Sequence, residues 1–235
     1  MKSQFYYHGV SRLMASLIKA YLNDRRIEIV GGGIGTTRTT RMIGATLKSL
    51  LRADLGVLLG HWCSSYSSDV VREAMADIAF TDSQGFHSVI AVKTYREGTQ
   101  FSRRNLISVR RLARLYESDT DVFALILIRF SLRGRDVSVS DVQFVPIEFL
   151  DWRCLAIRSS GWGQIQLMDS NDIRVVRRNS RKAWMLQLCD AALAYYPRGI
   201  GKIHDRIEFI RSVRSAWEAA EDKWAGQIPV VSSRG

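Results

Sequence analysis

Cysteine and histidine are scarce in this 235-residue chain. The three cysteines, Cys63, Cys154 and Cys189, are scattered and show no CxxC spacing. That argues against a disulfide framework or a cysteine-built zinc site and suits a reducing compartment. The four histidines, His8, His61, His87 and His204, form no HxH or HxxxH pair, so a histidine-built metal centre is not expected. Long apolar runs are missing as well. No segment reaches the ~18 residues of a membrane span, and the amino terminus lacks the layout of a signal peptide. The expectation is a soluble cytoplasmic protein with no membrane partner, free of internal repeats and low-complexity linkers.

Acid is the remaining shortage. Asp and Glu total 23 against 34 Lys and Arg, giving a net charge of +11 and a pI near 9.9. Most of the excess is arginine, whose planar fork suits phosphates and guanine edges. A field of this sign implies a polyanionic partner, most simply nucleic acid.

The apolar pattern describes a mixed α/β chain. Leu13, Leu17, Ile18 and Tyr21 sit at helical spacing in an amphipathic first helix over 9–23. The run GGGIG at 31–35 opens a loop before a helix over about 41–52, with Thr39 or Thr40 as cap. That loop satisfies neither nucleotide fingerprint: Thr36, Thr37 and Arg38 follow Gly35 where the phosphate-binding loop needs lysine and then Ser/Thr. It reads either as a plain mobile loop or as one that lays backbone amides, Arg38 and Arg41 on a DNA phosphate.

Short helical pieces are expected over 55–74. Met75–Thr81 and Phe86–Tyr95 form a hairpin through the turn DSQG. A helix follows over about 103–117, and DVFALILIRF at 121–130 is a central strand. One or two strands in 137–150 meet an interruption at Pro146, and short strands are expected at 153–158 and 164–168. Two helices, about 180–195 and 203–224, close the chain on either side of YYPRGIG.

The chemistry concentrates in the hairpin. Asp77 stands on its first strand, in MADIAF, and Lys93 near the end of its second, in HSVIAVKTYREGTQF. Antiparallel pairing brings Asp77 alongside Ala91 to Lys93. Hydrolysis of a phosphodiester needs a metal held by oxygens, an activated water and a cation to offset developing charge. Asp77 and Lys93 are the residue types for the first and last of these.

Asp77 followed by VIAVKTY resembles the core of the PD-(D/E)XK nuclease superfamily as found in type II restriction endonucleases, most like their blunt-cutting branch. The resemblance implies a central mixed sheet flanked by helices, spanning about 35–217 loosely and specific at 77–95. It implies one nuclease domain over 1–235, with a helical part to about residue 70, a catalytic core at 71–168 and a recognition loop with helices at 169–235. By it, Asp77 is a metal ligand, Lys93 the catalytic lysine and the Val92 backbone carbonyl a further metal contact. The cofactor would be Mg²⁺, with Ca²⁺ able to substitute without cleavage.

Two departures stand out. The tripeptide acid falls on Ala91, and the early-helix glutamate falls on Lys48, leaving Glu73 and Glu97 as substitutes. Ala91 has three readings: an acid replaced so that the enzyme is held on DNA uncut, a natural homologue that binds without cutting, or a hairpin that is no active site. The family further implies sequence-specific cleavage of a short palindrome by a homodimer within a restriction–modification system.

Base reading needs Arg, Asn and Gln side chains, and the loop DSNDIRVVRRNSRK supplies them densely. Asn171, Arg174 and Arg177 are candidates there, followed by Arg178, Asn179 and Arg181, although Asn179 or Ser180 could instead cap the next helix. Thr99, Gln100, Arg103, Arg104 and Asn105 follow the second hairpin strand and suit backbone contacts. The alternatives to a restriction enzyme are a non-cleaving DNA-binding protein on the same fold and a repair, recombination or RNA-directed nuclease.

Overall fold

The computed structural model describes residues 3–25, 27, 37–68, 76–99, 104–158, 163–169, 171–177 and 179–219. Two compact units emerge, Met1–Ala192 and Leu193–Gly235. The first is built on a five-stranded mixed sheet of β1 (Cys63–Ser67), β2 (Ile78–Asp82), β3 (His87–Arg96), β5 (Asp121–Arg133) and β6 (Asp136–Pro146), adjacent in that order. A second, antiparallel sheet orders β4 (Arg104–Ser108), β8 (Gln164–Leu167) and β7 (Leu155–Arg158). The mixed α/β architecture expected from the sequence is the one observed.

Burial explains the strand order. Val122 to Ile128 are all within 2% of complete burial, so β5 has apolar neighbours on both faces and takes the interior of the sheet. It pairs in parallel with β3, Ala91 opposite Leu125 and Lys93 opposite Leu127, and antiparallel with β6. A parallel pair needs a crossover, supplied here by β4 and the short helix α4 (Val109–Leu115). The expected helix over 103–117 therefore begins as a strand. Arg103 lies outside the described residues, and Ser108 caps α4 by accepting from the Arg111 N–H at 3.3 Å.

The DSQG turn forms as expected. The buried Asp82 carboxylate accepts from the N–H groups of Gln84 and Phe86 at 2.9 and 3.0 Å and from Ser3 Oγ at 2.7 Å. It thereby holds the hairpin turn and the start of the chain together. α1 (Gln4–Tyr7) then sends Phe5 against Phe80 and Phe144, at centroid distances of 5.2 and 5.4 Å.

Helix α2 (Val10–Asp24) forms where expected but with a different face inward. Met14, Ala15, Ile18 and Leu22 are buried, whereas Leu13 and Leu17 are exposed. Its Asn23 settles a bulge in β6, donating to the Val139 carbonyl at 3.0 Å and accepting the Val139 N–H at 2.8 Å.

Three boundaries depart from expectation. α3 runs Thr37–Leu59, so Thr39 and Thr40 lie inside it rather than capping it. Residues 63–67 are strand rather than helix, because β1 pairs with β2 at the sheet edge. The last two helices are one, α5 (Arg181–Ala219), which passes through Pro197. The helix keeps its course there despite the ladder hydrogen bond that proline removes and the crowding of its ring on the preceding turn. The start of α5 belongs to the first unit, where fully buried Trp184 stacks on Trp152 at 4.9 Å and donates to the Leu150 carbonyl at 2.8 Å. The second unit carries the remainder of α5.

Candidate nucleic-acid phosphate site

Asp77 begins where β2 enters the sheet. Its N–H donates to the Ile90 carbonyl at 2.7 Å, and its Oδ2 accepts the N–H of Val92, also at 2.7 Å. The hairpin thus sets the aspartate beside the residue preceding Lys93. Ala91, two residues before Lys93 on β3, is wholly buried.

Other cations surround this acid. α3 buries a stripe of Ile43, Leu47, Leu51, Leu55 and Leu59, spaced four apart. The adjoining stripe carries Arg41, Gly44, Lys48 and Arg52. Lys48 Nζ lies 3.4 Å from Asp77 Oδ2 and 3.5 Å from Oδ1, and Arg52 Nη2 lies 3.3 Å from Oδ1. Arg52 Nε also donates to the Asp77 carbonyl at 3.2 Å. Tyr66 steadies that turn of the helix by donating to the Arg52 carbonyl at 2.6 Å.

Lys93 is half-buried and makes no hydrogen bond or ion pair among the described residues. Burial and then the charge of Lys48 lower its ammonium below the ordinary lysine range; Asp77 opposes this and Arg104 adds to it. Arg104, at the start of β4, has a buried Nε with no partner among the described residues. Its guanidinium is lowered by burial and then by Arg41. Lys93 thus lies in the field of Lys48, Asp77 and Arg104, and Arg104 in that of Arg41.

Such a set does not fit a divalent cation. Magnesium requires near-octahedral oxygen donors, and the Asp77 carboxylate is already engaged by Lys48, Arg52 and the Val92 amide. Among the described residues no three His, Cys, Asp or Glu side chains gather closely enough to hold a metal. Glu97 is engaged elsewhere, accepting from Ser140 Oγ at 2.6 Å on β6, and Glu73 lies outside the described residues. The Mg²⁺ or Ca²⁺ expected at Asp77 and the Val92 carbonyl is not accommodated by the described chain as it stands. An anion is the better electrostatic match.

The remaining candidates divide. Thr99 and Asn171 come together, Asn171 Nδ2 donating to the Thr99 carbonyl at 3.4 Å, which joins the late loop to the end of β3. Asn105 is exposed and accepts from Gln166 at 2.6 Å. Arg174 is exposed but forked onto Asp172, with Nη2 to Oδ2 at 2.8 Å. Arg177 lines a polar cavity of about 390 Å³ beside Arg12 and Asp141. The Asn179 N–H donates to the Val176 carbonyl at 3.2 Å, while Ser180 caps α5 through the Ala183 N–H at 3.1 Å.

Arg181 has an internal role. It pairs with buried Glu148 at 3.2 Å and lies 4.2 Å over the Tyr116 ring, and Tyr116 donates to the same carboxylate at 2.6 Å. Those contacts use its planar fork inside the protein. Gln100, Arg103 and Arg178 lie outside the described residues, as do the glycine loop at 31–35 and the side chain of Arg38.

No family model and no curated protein matches the chain. Among solved structures it is similar to NlaIV restriction endonuclease at 10% identity. That match covers 71% of this chain and 70% of the other, with a TM-score of 0.38. No helix among the described residues is long and apolar enough to cross a membrane.

Arg52 was missed in the sequence, although Arg41, Gly44, Lys48 and Arg52 recur at three- and four-residue spacing. A basic stripe running beside an apolar one, interrupted by a glycine, is the signal that finds it.

Proposed function

We propose that this chain is a DNA-binding protein of the type II restriction endonuclease kind whose hydrolytic centre is impaired at Ala91. The observation that carries the reading is the hairpin itself. Asp77 is hydrogen-bonded to the amide of Val92, next to a half-buried lysine without a hydrogen-bonding partner among the described residues, with alanine where the second acid belongs. The net charge of +11 and the contact between Asn171 and Thr99 support a DNA surface around the end of β3. Recognition would fall to the exposed polar side chains there and in the late loop, acting on a short palindrome as a homodimer.

Selection of bound duplexes from a random pool tests specificity and symmetry together. One short palindrome should emerge; an unordered collection of sequences would count against the reading. In Ala91→Asp a second acid should draw Mg²⁺ to Asp77 in place of the Lys48 and Arg52 contacts and confer Mg²⁺-dependent double-strand cleavage of the selected site.

A second reading has its own support. Lys48 and Arg52 on Asp77 neutralise the acid that a metal would need, which suits a protein that binds DNA without cutting it. Under that reading Ala91→Asp stays inert on every duplex, so the same variant separates the two.

A further inference from the structure

In a metal-dependent phosphodiesterase the ion does two things at once: it neutralises the acids that hold it and accepts a phosphate oxygen. The first of these is already done here by protein groups. Lys48 Nζ stands 3.4 Å and Arg52 Nη2 3.3 Å from the Asp77 carboxylate, which is only 15% exposed. The second is within their means, since an ammonium carries three donors and a guanidinium five.

The helix is also built to bring them there. Gly44, one turn before Lys48, lies so close to β3 that a Cβ on it would come within 2.5 Å of Thr94 Oγ1. Across the site, Lys93 has no hydrogen-bonding partner among the described residues, and the buried Nε of Arg104 has none either. Among the described residues, Lys48 and Arg52 pair with Asp77 while Lys93 lies in the field of Lys48, Asp77 and Arg104, so cations outnumber the carboxylate, a balance that repels a divalent ion and attracts an oxyanion.

We infer that Lys48 and Arg52 stand in for a divalent cation at Asp77, so that this pocket takes a DNA phosphodiester without any metal. The inference rests on the DNA-binding reading above and deepens it, naming the ligand of the site as the backbone phosphate and its counter-charge as part of the chain.

The test is the affinity of the full chain for a fluorescently labelled random-sequence duplex pool, measured in EDTA, in Mg²⁺ and in Ca²⁺ at matched ionic strength. Binding should agree within about twofold across the three conditions. In Lys48→Glu, affinity in EDTA should fall roughly tenfold and recover when Ca²⁺ is added, because the new acid beside Asp77 requires an ion to offset it. Wild-type binding that tightens tenfold or more on adding Mg²⁺ or Ca²⁺ would overturn the inference while leaving the DNA-binding reading intact. Absence of binding in all three conditions would overturn both. The wild-type comparison decides the matter even if Lys48→Glu fails to fold.

Discussion

Gly44 on α3 and Thr94 on β3 approach so closely that a methyl group on the glycine would stand 2.5 Å from the threonine Oγ1. This contact positions the turn carrying Lys48, and then Arg52, over Asp77. Gly44→Ala improves helix propensity by up to about 1 kcal/mol, but the β-branched threonine has little freedom to yield, and overpacking costs about 1–3 kcal/mol. The variant should be net destabilised in urea titration. Adding Thr94→Ala should recover at least ~0.5 kcal/mol through coupling of the two sites. Independent, additive effects would show that the helix does not bear on the strand there.

The hairpin that carries the site depends on Asp82, which is 2% exposed and accepts three hydrogen bonds. Asp82→Ala leaves two backbone N–H groups and the Ser3 hydroxyl without their acceptor. A loss of about 2–4 kcal/mol in unfolding free energy is expected, with Asp82→Asn losing less because one acceptor oxygen remains. Equal midpoints for the alanine variant and wild type would contradict this account of the turn.

Removing Lys48 should cost little stability. Its side chain is 32% exposed, and Arg52 remains to pair with Asp77, so solvent screening limits the loss in Lys48→Met to at most about 1 kcal/mol. Thermal melts of wild type and variant should nearly coincide. A large drop in melting temperature would make the lysine a structural keystone rather than a ligand-facing cation.

The thiols give an independent check on the fold. Cys189 is exposed, Cys63 is half-buried and Cys154 is buried, and burial raises the thiol pKa values of Cys63 and Cys154. Since the thiolate is the reactive form, iodoacetamide at about pH 8 should label Cys189 first, Cys63 more slowly and Cys154 only on unfolding. Early modification of Cys154, detected by peptide mass, would contradict the packing around β7.

Much of this was legible in the sequence because it rests on local signals. The unbroken apolar run at 121–130 has no stable place except inside a sheet, and DSQG between two apolar runs can close a hairpin by itself. The pairing that sets Asp77 beside Val92 follows from that hairpin. What escaped depends on contacts distant in sequence. The strand at Cys63–Ser67 exists because β2 offers it an edge, and Arg104–Ser108 is extended because β8 pairs with it. Leu13 and Leu17 fit a helical stripe as well as Met14 and Ile18 do, and only the packing of the folded chain chose between those faces. At Lys48 the family resemblance leads one to expect a glutamate. That it is instead a cation pressed onto Asp77 follows from how closely a glycine lets α3 approach, which spacing alone does not reveal.

The most direct test of a DNA phosphate seated at the end of β3 is the salt dependence of duplex binding by wild type and Lys93→Met. Loss of one phosphate contact should weaken binding at every salt concentration and reduce the slope of log K against log salt by about one. An unchanged affinity and an unchanged slope would mean that DNA, if bound at all, is held elsewhere.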